Sequence, residues 1–176
     1  MPRIIKNREV IEDQWELLPA TASLQEALDC EQPIVPLALW QAHSAELRQL
    51  PKLGVWLDSD ELVEDLAEDL SAFSLIALNF PTFTDGRPFS NARLLRERYG
   101  FTREIRAVGD VLRDQLLMMH RCGFDAFAVR SDRDPQDALL ALDEFSVQYQ
   151  GSWDSPLPLF RRRAAAKQSA SAALAV

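Results

Sequence analysis

The chain has 176 residues, 47% of them hydrophobic and 26% charged, the balance of one domain that buries a core. Twenty-seven acidic residues against nineteen basic ones leave a net charge of −8, which repels phosphate backbones and argues against a nucleic-acid partner. Its apolar runs fall far short of the roughly 20 residues that cross a bilayer, and no basic-then-apolar leader opens the chain, so a cytoplasmic protein without membrane contact is expected.

In chain order, residues 3–15 read as two short strands around Lys6-Asn7-Arg8, a hairpin at the edge of the core. Residues 21–30 read as a short amphipathic helix capped by Thr21 or Ser23 and stopped by Pro33. From Ile34 onward, short apolar runs alternate with stretches of helical periodicity, the pattern of parallel strands joined by crossover helices. Strands are predicted at 34–39, 53–57, 75–80, 104–108 and 126–129.

The helices between them carry start and stop signals. Ser59 precedes an acidic helix in which six of the ten residues 60–69 are Asp or Glu, with Leu62, Val63, Leu66 and Leu70 at helical spacing. Ser90 precedes a helix over 91–99 ended by Gly100, and Asp110 precedes one over 111–122 ended by Gly123. Asp134-Pro135 opens a last one reaching about Phe145. Five parallel strands are too few for an eight-stranded barrel, so the expected fold is α/β, an open sheet or a half-barrel plus the N-terminal hairpin. The domain spans 1–160; residues 151–160 are an extended segment packing back on it, and 161–176 a disordered Ala/Ser-rich tail.

In such folds the ligand crevice lies at the carboxyl ends of the strands, where helix N-termini present free N–H groups. This rule selects Asn79, the loop 80–90 with Asp85, Arg87 and Ser90, Gly109 and Asp110, and the residues after Val129. Arg93 and Arg113 lie in the first turns of the following helices, so Arg87, Arg93 and Arg113 are candidates to converge on a carboxylate, phosphate or sulfur oxyanion. Pairing with the chain's own abundant carboxylates is the competing reading. Arg106, inside an apolar strand, requires a buried acidic partner, for which Asp85, Asp110 and Asp114 are candidates.

Cys30 and Cys122 form no CxxC pair, and His43 and His120 have no ligand spacing, so reduced thiols and no metal are expected. Cys122 ends a helix on its apolar stripe and reads as structural. Dinucleotide, Walker and nucleophile-elbow motifs are absent, so no cofactor is predicted; a flavin or NAD(P) site built without a short motif is the alternative.

Three blocks carry a family resemblance: FTDGR followed by ARLLRERYG, then EIRAVGDVLRDQL, then RCGFDAF. They resemble an uncharacterised bacterial family encoded beside the assimilatory sulfite reductase hemoprotein, whose members are labelled oxidoreductases of sulfite reduction. The resemblance implies a place in sulfur assimilation and carries over no catalytic residue. The expected role is therefore an accessory protein that partners the hemoprotein or its electron donor, with homodimer formation compatible. The alternative is an oxidoreductase holding a flavin, nicotinamide or oxyanion in the arginine-lined crevice.

Overall fold

Asn7 and Arg8 both adopt positive φ, 50° and 67°, and this tight turn folds β1 (Arg3–Lys6) antiparallel onto β2 (Glu9–Glu12). The hairpin leads to β3 (Glu16–Leu17), α1 (Leu24–Asp29), β4 (Pro33–Pro36), α2 (Leu37–Leu47) and β5 (Gly54–Leu57). Then follow β6 (Leu75–Phe80), α3 (Arg87–Glu97), β7 (Glu104–Gly109), α4 (Leu116–Cys122), β8 (Ala126–Phe127), α5 (Pro135–Leu139) and α6 (Leu159–Ala173). These elements belong to a computed structural model that describes residues 2–173, with side chains through 166.

The sheet is mixed and eight-stranded, with order β2-β1-β8-β7-β6-β5-β4-β3, curled into an open half-barrel. From β3 to β8 every neighbouring pair is parallel and consecutive in sequence, and β1 joins β8 antiparallel through Ile5 and Phe127. All five strands read in the sequence are present, as is the hairpin. The eighth, β3, is two residues long, too short to carry an alternation that a sequence could reveal.

The two faces of the sheet differ. Val55, Leu57, Ile76, Leu78, Phe80, Ile105, Ala107 and Phe127 are buried in the large core shared with the helices. Phe80, for example, lies edge-on to Phe89 of α3 at 5.2 Å and tilted against Phe124 at 5.8 Å. Burying one such ring fully is worth about 1.5–3 kcal/mol. On the inner face a smaller cluster of Ile34, Leu75, Ala77 and Val108 is covered by Trp15 and Trp56. Trp15 belongs to residues 13–20, a strap laid over the mouth of the half-barrel. Leu18 N–H donates to the Ile34 carbonyl at 3.0 Å, and the Trp56 indole N–H donates to the Leu18 carbonyl at 2.9 Å.

Several boundaries depart from expectation. The run 34–39 is strand only to Pro36, after which Leu37 starts α2; an apolar run does not distinguish a strand from the helix that follows without a loop. The acidic stretch forms two 3-10 turns, Val63–Leu66 and Leu70–Ala72, in place of an α-helix. Its carboxylates recur four apart, as in Asp60 and Glu64, Glu61 and Asp65, or Glu64 and Glu68, a spacing that sets like charges together on an α-helix. The shorter turns still bury Val63 and Leu66. α3 begins after Gly86, so Ser90 is internal to it and caps nothing. The helix expected from 111 starts as a 3-10 turn, Arg113–Gln115, and Asp110 is not its cap. The tail expected to lack structure continues as α6 to Ala173; its last three residues, 174–176, lie outside the described residues.

Candidate functional site

The carboxyl ends of β5 to β8 carry an interlocked polar rim. Asp58, just past β5, accepts from the Asn79 side-chain amide at 3.0 Å and from the Ser59 N–H at 2.7 Å. The Ser59 hydroxyl accepts from Arg87 at 2.7 Å, and Arg87 grips Asp85 with two guanidinium bonds of 3.0 and 2.6 Å. Arg87 beside it holds the Asp85 carboxyl well below the usual carboxylate range, and Asp85 raises the Arg87 guanidinium in turn.

β7 ends at Gly109 with φ of 91°, where an added Cβ would meet the Phe80 carbonyl and the Asn79 side-chain oxygen at 2.4 Å. Only glycine fits there, and the bend lets Asp110 N–H donate to the Phe80 carbonyl at 2.8 Å. The Asp110 carboxylate then accepts the Phe83 N–H at 2.9 Å and Arg130 at 2.9 Å, and Arg130 also holds Asp132 at 2.6 Å. Asp132, bonded first of all by Arg130, is held below its ordinary value.

The rim thus gathers Asn79, Asp85, Arg87 and Asp110, as the strand-end rule selects. The arginines expected to converge do not share a centre. Arg87 is held by Asp85; Arg93 pairs with Glu97 one turn on at 2.9 Å; Arg113 binds Asp137 at 3.0 Å and Glu144 at 3.3 Å. Ser90 is exposed on α3. The competing reading, pairing with the chain's own carboxylates, describes each of them.

Arg106 lies elsewhere. Its strand position points it to the inner face beside Glu104, two residues away on the same side. It bonds Glu104 at 2.8 Å and Asp13 of the strap at 2.7 Å, and Lys6 of β1 completes the set by meeting Glu104 at 2.7 Å. The buried acidic partner exists, but it is neither Asp85, Asp110 nor Asp114. Asp13 could not have been chosen from the sequence, because only the strap brings it across the sheet.

Two cavities flank this network. Toward the rim, Leu18, Pro19, Trp56, Val108 and Asn79 line a mostly apolar pocket of about 290 Å³. At the opposite end, Lys6, Gln14, Trp15, Gln32, Lys52 and Glu104 contribute to a polar cleft of about 540 Å³. Asp58 and Ser59 are rim residues that the sequence reading did not select, although they directly follow a predicted strand and the same strand-end rule reaches them; Arg130 falls among the residues after Val129 that the rule did select.

A different surface is built by residues 140–160. Arg121 anchors it: its carbonyl accepts the Trp153 N–H at 3.2 Å and the Ser152 hydroxyl at 2.5 Å, while its guanidinium donates to the Gln150 carbonyl at 2.6 Å. The Trp153 ring stacks on the Arg96 guanidinium at 5.1 Å. Outward, Phe145, Val147, Tyr149, Leu157 and Phe160 are each more than half exposed. Burial pushes the nearby Cys122 thiol up, against the pull of Arg93 and Arg121, which favours the inert thiol form. Among the described residues no group of three or more His, Cys, Asp or Glu could hold a metal, and no helix is long and apolar enough to cross a membrane.

Comparison with known proteins agrees with the sequence blocks at the level of family. No curated protein and no solved structure matches the chain. The family model described as "Bacterial protein of unknown function (DUF934)" matches residues 54–160, from β5 to the first turn of α6 and more than half of the sequence. The chain belongs to that bacterial family.

Proposed function

We propose that the chain is an accessory protein of assimilatory sulfite reduction that partners the sulfite reductase hemoprotein or its electron donor. The observation that carries an interaction role is the row of aromatic and aliphatic side chains from Phe145 to Phe160, exposed on a segment firmly anchored by Arg121. The choice of partner rests on the resemblance of the FTDGR, EIRAVGDVLRDQL and RCGFDAF blocks. A catalytic role at the rim would need a guanidinium ready to meet an anion, and Arg87, Arg113 and Arg130 are each engaged by carboxylates of the same chain.

The test is co-purification with the hemoprotein carrying its intact cofactors. A complex at micromolar concentration, lost when Tyr149 and Leu157 are both changed to Ser, supports the role. Absence of any complex overturns it. On the same preparation, a flavin absorbance band or a rise in melting temperature with sulfite or nucleotides favours the oxidoreductase alternative.

A further inference from the structure

Helix α6 opens with Leu159-Phe160-Arg161-Arg162-Arg163 and runs on through three alanines. Its first turn is tied to the body where Leu159 N–H donates to the Tyr149 carbonyl at 3.0 Å and Arg162 donates to the Gln148 carbonyl at 2.8 Å. A single alanine-rich helix of 15 residues is marginal in water without a surface to pack on. Phe160 is 58% exposed, and the Arg161 guanidinium sits over its ring at 5.9 Å. Among the described residues no carboxylate lies within ion-pair distance of Arg161, Arg162 or Arg163. Among the described residues this cationic, partly aromatic end of the helix has nothing of opposite charge against it.

The opposite charge is on the same chain. The last 18 residues hold four basic side chains and no acidic one, so residues 1–158 carry fifteen basic against twenty-seven acidic. The densest acidic stretch is the connection between β5 and β6. There Glu64 reaches Arg98 at 3.8 Å and Asp69 is taken by Arg48, but Asp60, Asp65 and Glu68 meet no cation among the described residues. Leu62, 57% exposed, stands in the middle of them. Glu61 is pushed up by burial and further by Asp58, Asp60 and Asp65, which shows how crowded the negative charge is.

We infer that α6 docks on the acidic β5–β6 connection of a second copy of this chain, with Arg161 and Arg163 meeting Asp60, Asp65 and Glu68 and Phe160 covering Leu62. Each copy brings both halves of the contact, so the occupant is present whenever the protein is. Every acidic residue used is exposed and spare in the single chain, so forming the contact breaks no internal pair. The contact is independent of any hemoprotein.

Sedimentation equilibrium of the purified full chain alone tests it. The wild-type chain is expected to dimerise at concentrations up to about 100 µM in low salt and to dissociate as added salt shortens the screening length below about 5 Å. R161E/R163E, with reversed tail charge, and D60K/D65K/E68K, with a reversed connection, are each expected to associate about tenfold or more weakly when alone. An equimolar mixture of the two restores both contacts and the association. Circular dichroism confirms that each variant keeps its fold; where one does not, the salt dependence of the wild-type chain decides. A wild-type monomer throughout, a dimer indifferent to salt, or folded variants that fail to associate on mixing would each overturn the inference. The two surfaces share Phe160 but their tests do not: the sulfite reductase complex is tested with a different partner and with Tyr149 and Leu157, which the charge reversals leave in place.

Discussion

Arg106 and Arg87 make ion pairs of nearly equal length, 2.7 and 2.6 Å, yet they occupy opposite environments. Arg106 is 2% exposed on the inner face, wedged between Asp13 and Glu104. Arg87 is exposed on the rim, held by Asp85 and Ser59. The difference teaches that distance alone does not rank an ion pair. In the buried set each charge has given up its water and depends on its partners, whereas on the rim water stands ready to replace either one. The strap is tied down by the first kind. The rim loops are merely kept in order by the second.

The comparison can be broken at either end. Arg106→Ala is expected to have the largest effect, about 3–5 kcal/mol lost in a urea unfolding series, because it strands Asp13 under the strap and leaves Glu104 with Lys6 alone. If that variant unfolds with the wild type, the inner-face network is not what holds residues 13–20. Gly109→Ala comes next: an alanine at positive φ, driven against the Phe80 carbonyl, is expected to cost about 1–3 kcal/mol and to loosen the Asp110 turn. Arg113→Ala, on the rim, is expected to shift stability by no more than about 1 kcal/mol despite losing bonds to Asp137 and Glu144; a loss as large as that of Arg106→Ala would erase the distinction.

The smallest effect is a titration. With its folded pKa depressed, Asp85 adds stability that is present above the ordinary carboxylate range and is lost as pH falls toward the folded value. Carboxyl carbon resonances are expected to show Asp85 titrating below the ordinary aspartate range in the wild type, and its titration returning upward in Arg87→Ala.

Much of this architecture was legible because buried parallel strands are written as apolar runs, such as Leu75 to Leu78, and because Gly123, with φ of 115°, and Asp134 mark a helix end and a helix start. Boundaries failed where one run served two elements, as at Pro36 and Leu37. The acidic connection misled for another reason: its leucines keep helical spacing while its carboxylates, four apart, oppose the helix. The candidate site was half legible. The strand-end rule reached Asn79, Asp85, Arg87 and Asp110, but periodicity says nothing of which carboxylate an arginine will meet, so the partner of Arg106 was sought among Asp85, Asp110 and Asp114 and Asp13 was overlooked.

The strand order has a consequence for how the protein is made. From β4 to β8 each strand pairs with the one just before it, so the sheet can grow as the chain leaves the ribosome, with one crossover connection to close at each step. The hairpin is the exception, because Ile5 pairs with Phe127, which is synthesised late. Until β8 emerges, β1 presents an unpaired edge and the apolar side chains of Ile4 and Ile5 to whatever is nearby. A nascent chain stalled before Phe127 is therefore the form of this protein most in need of a chaperone, and the first two strands made are among the last to find their place.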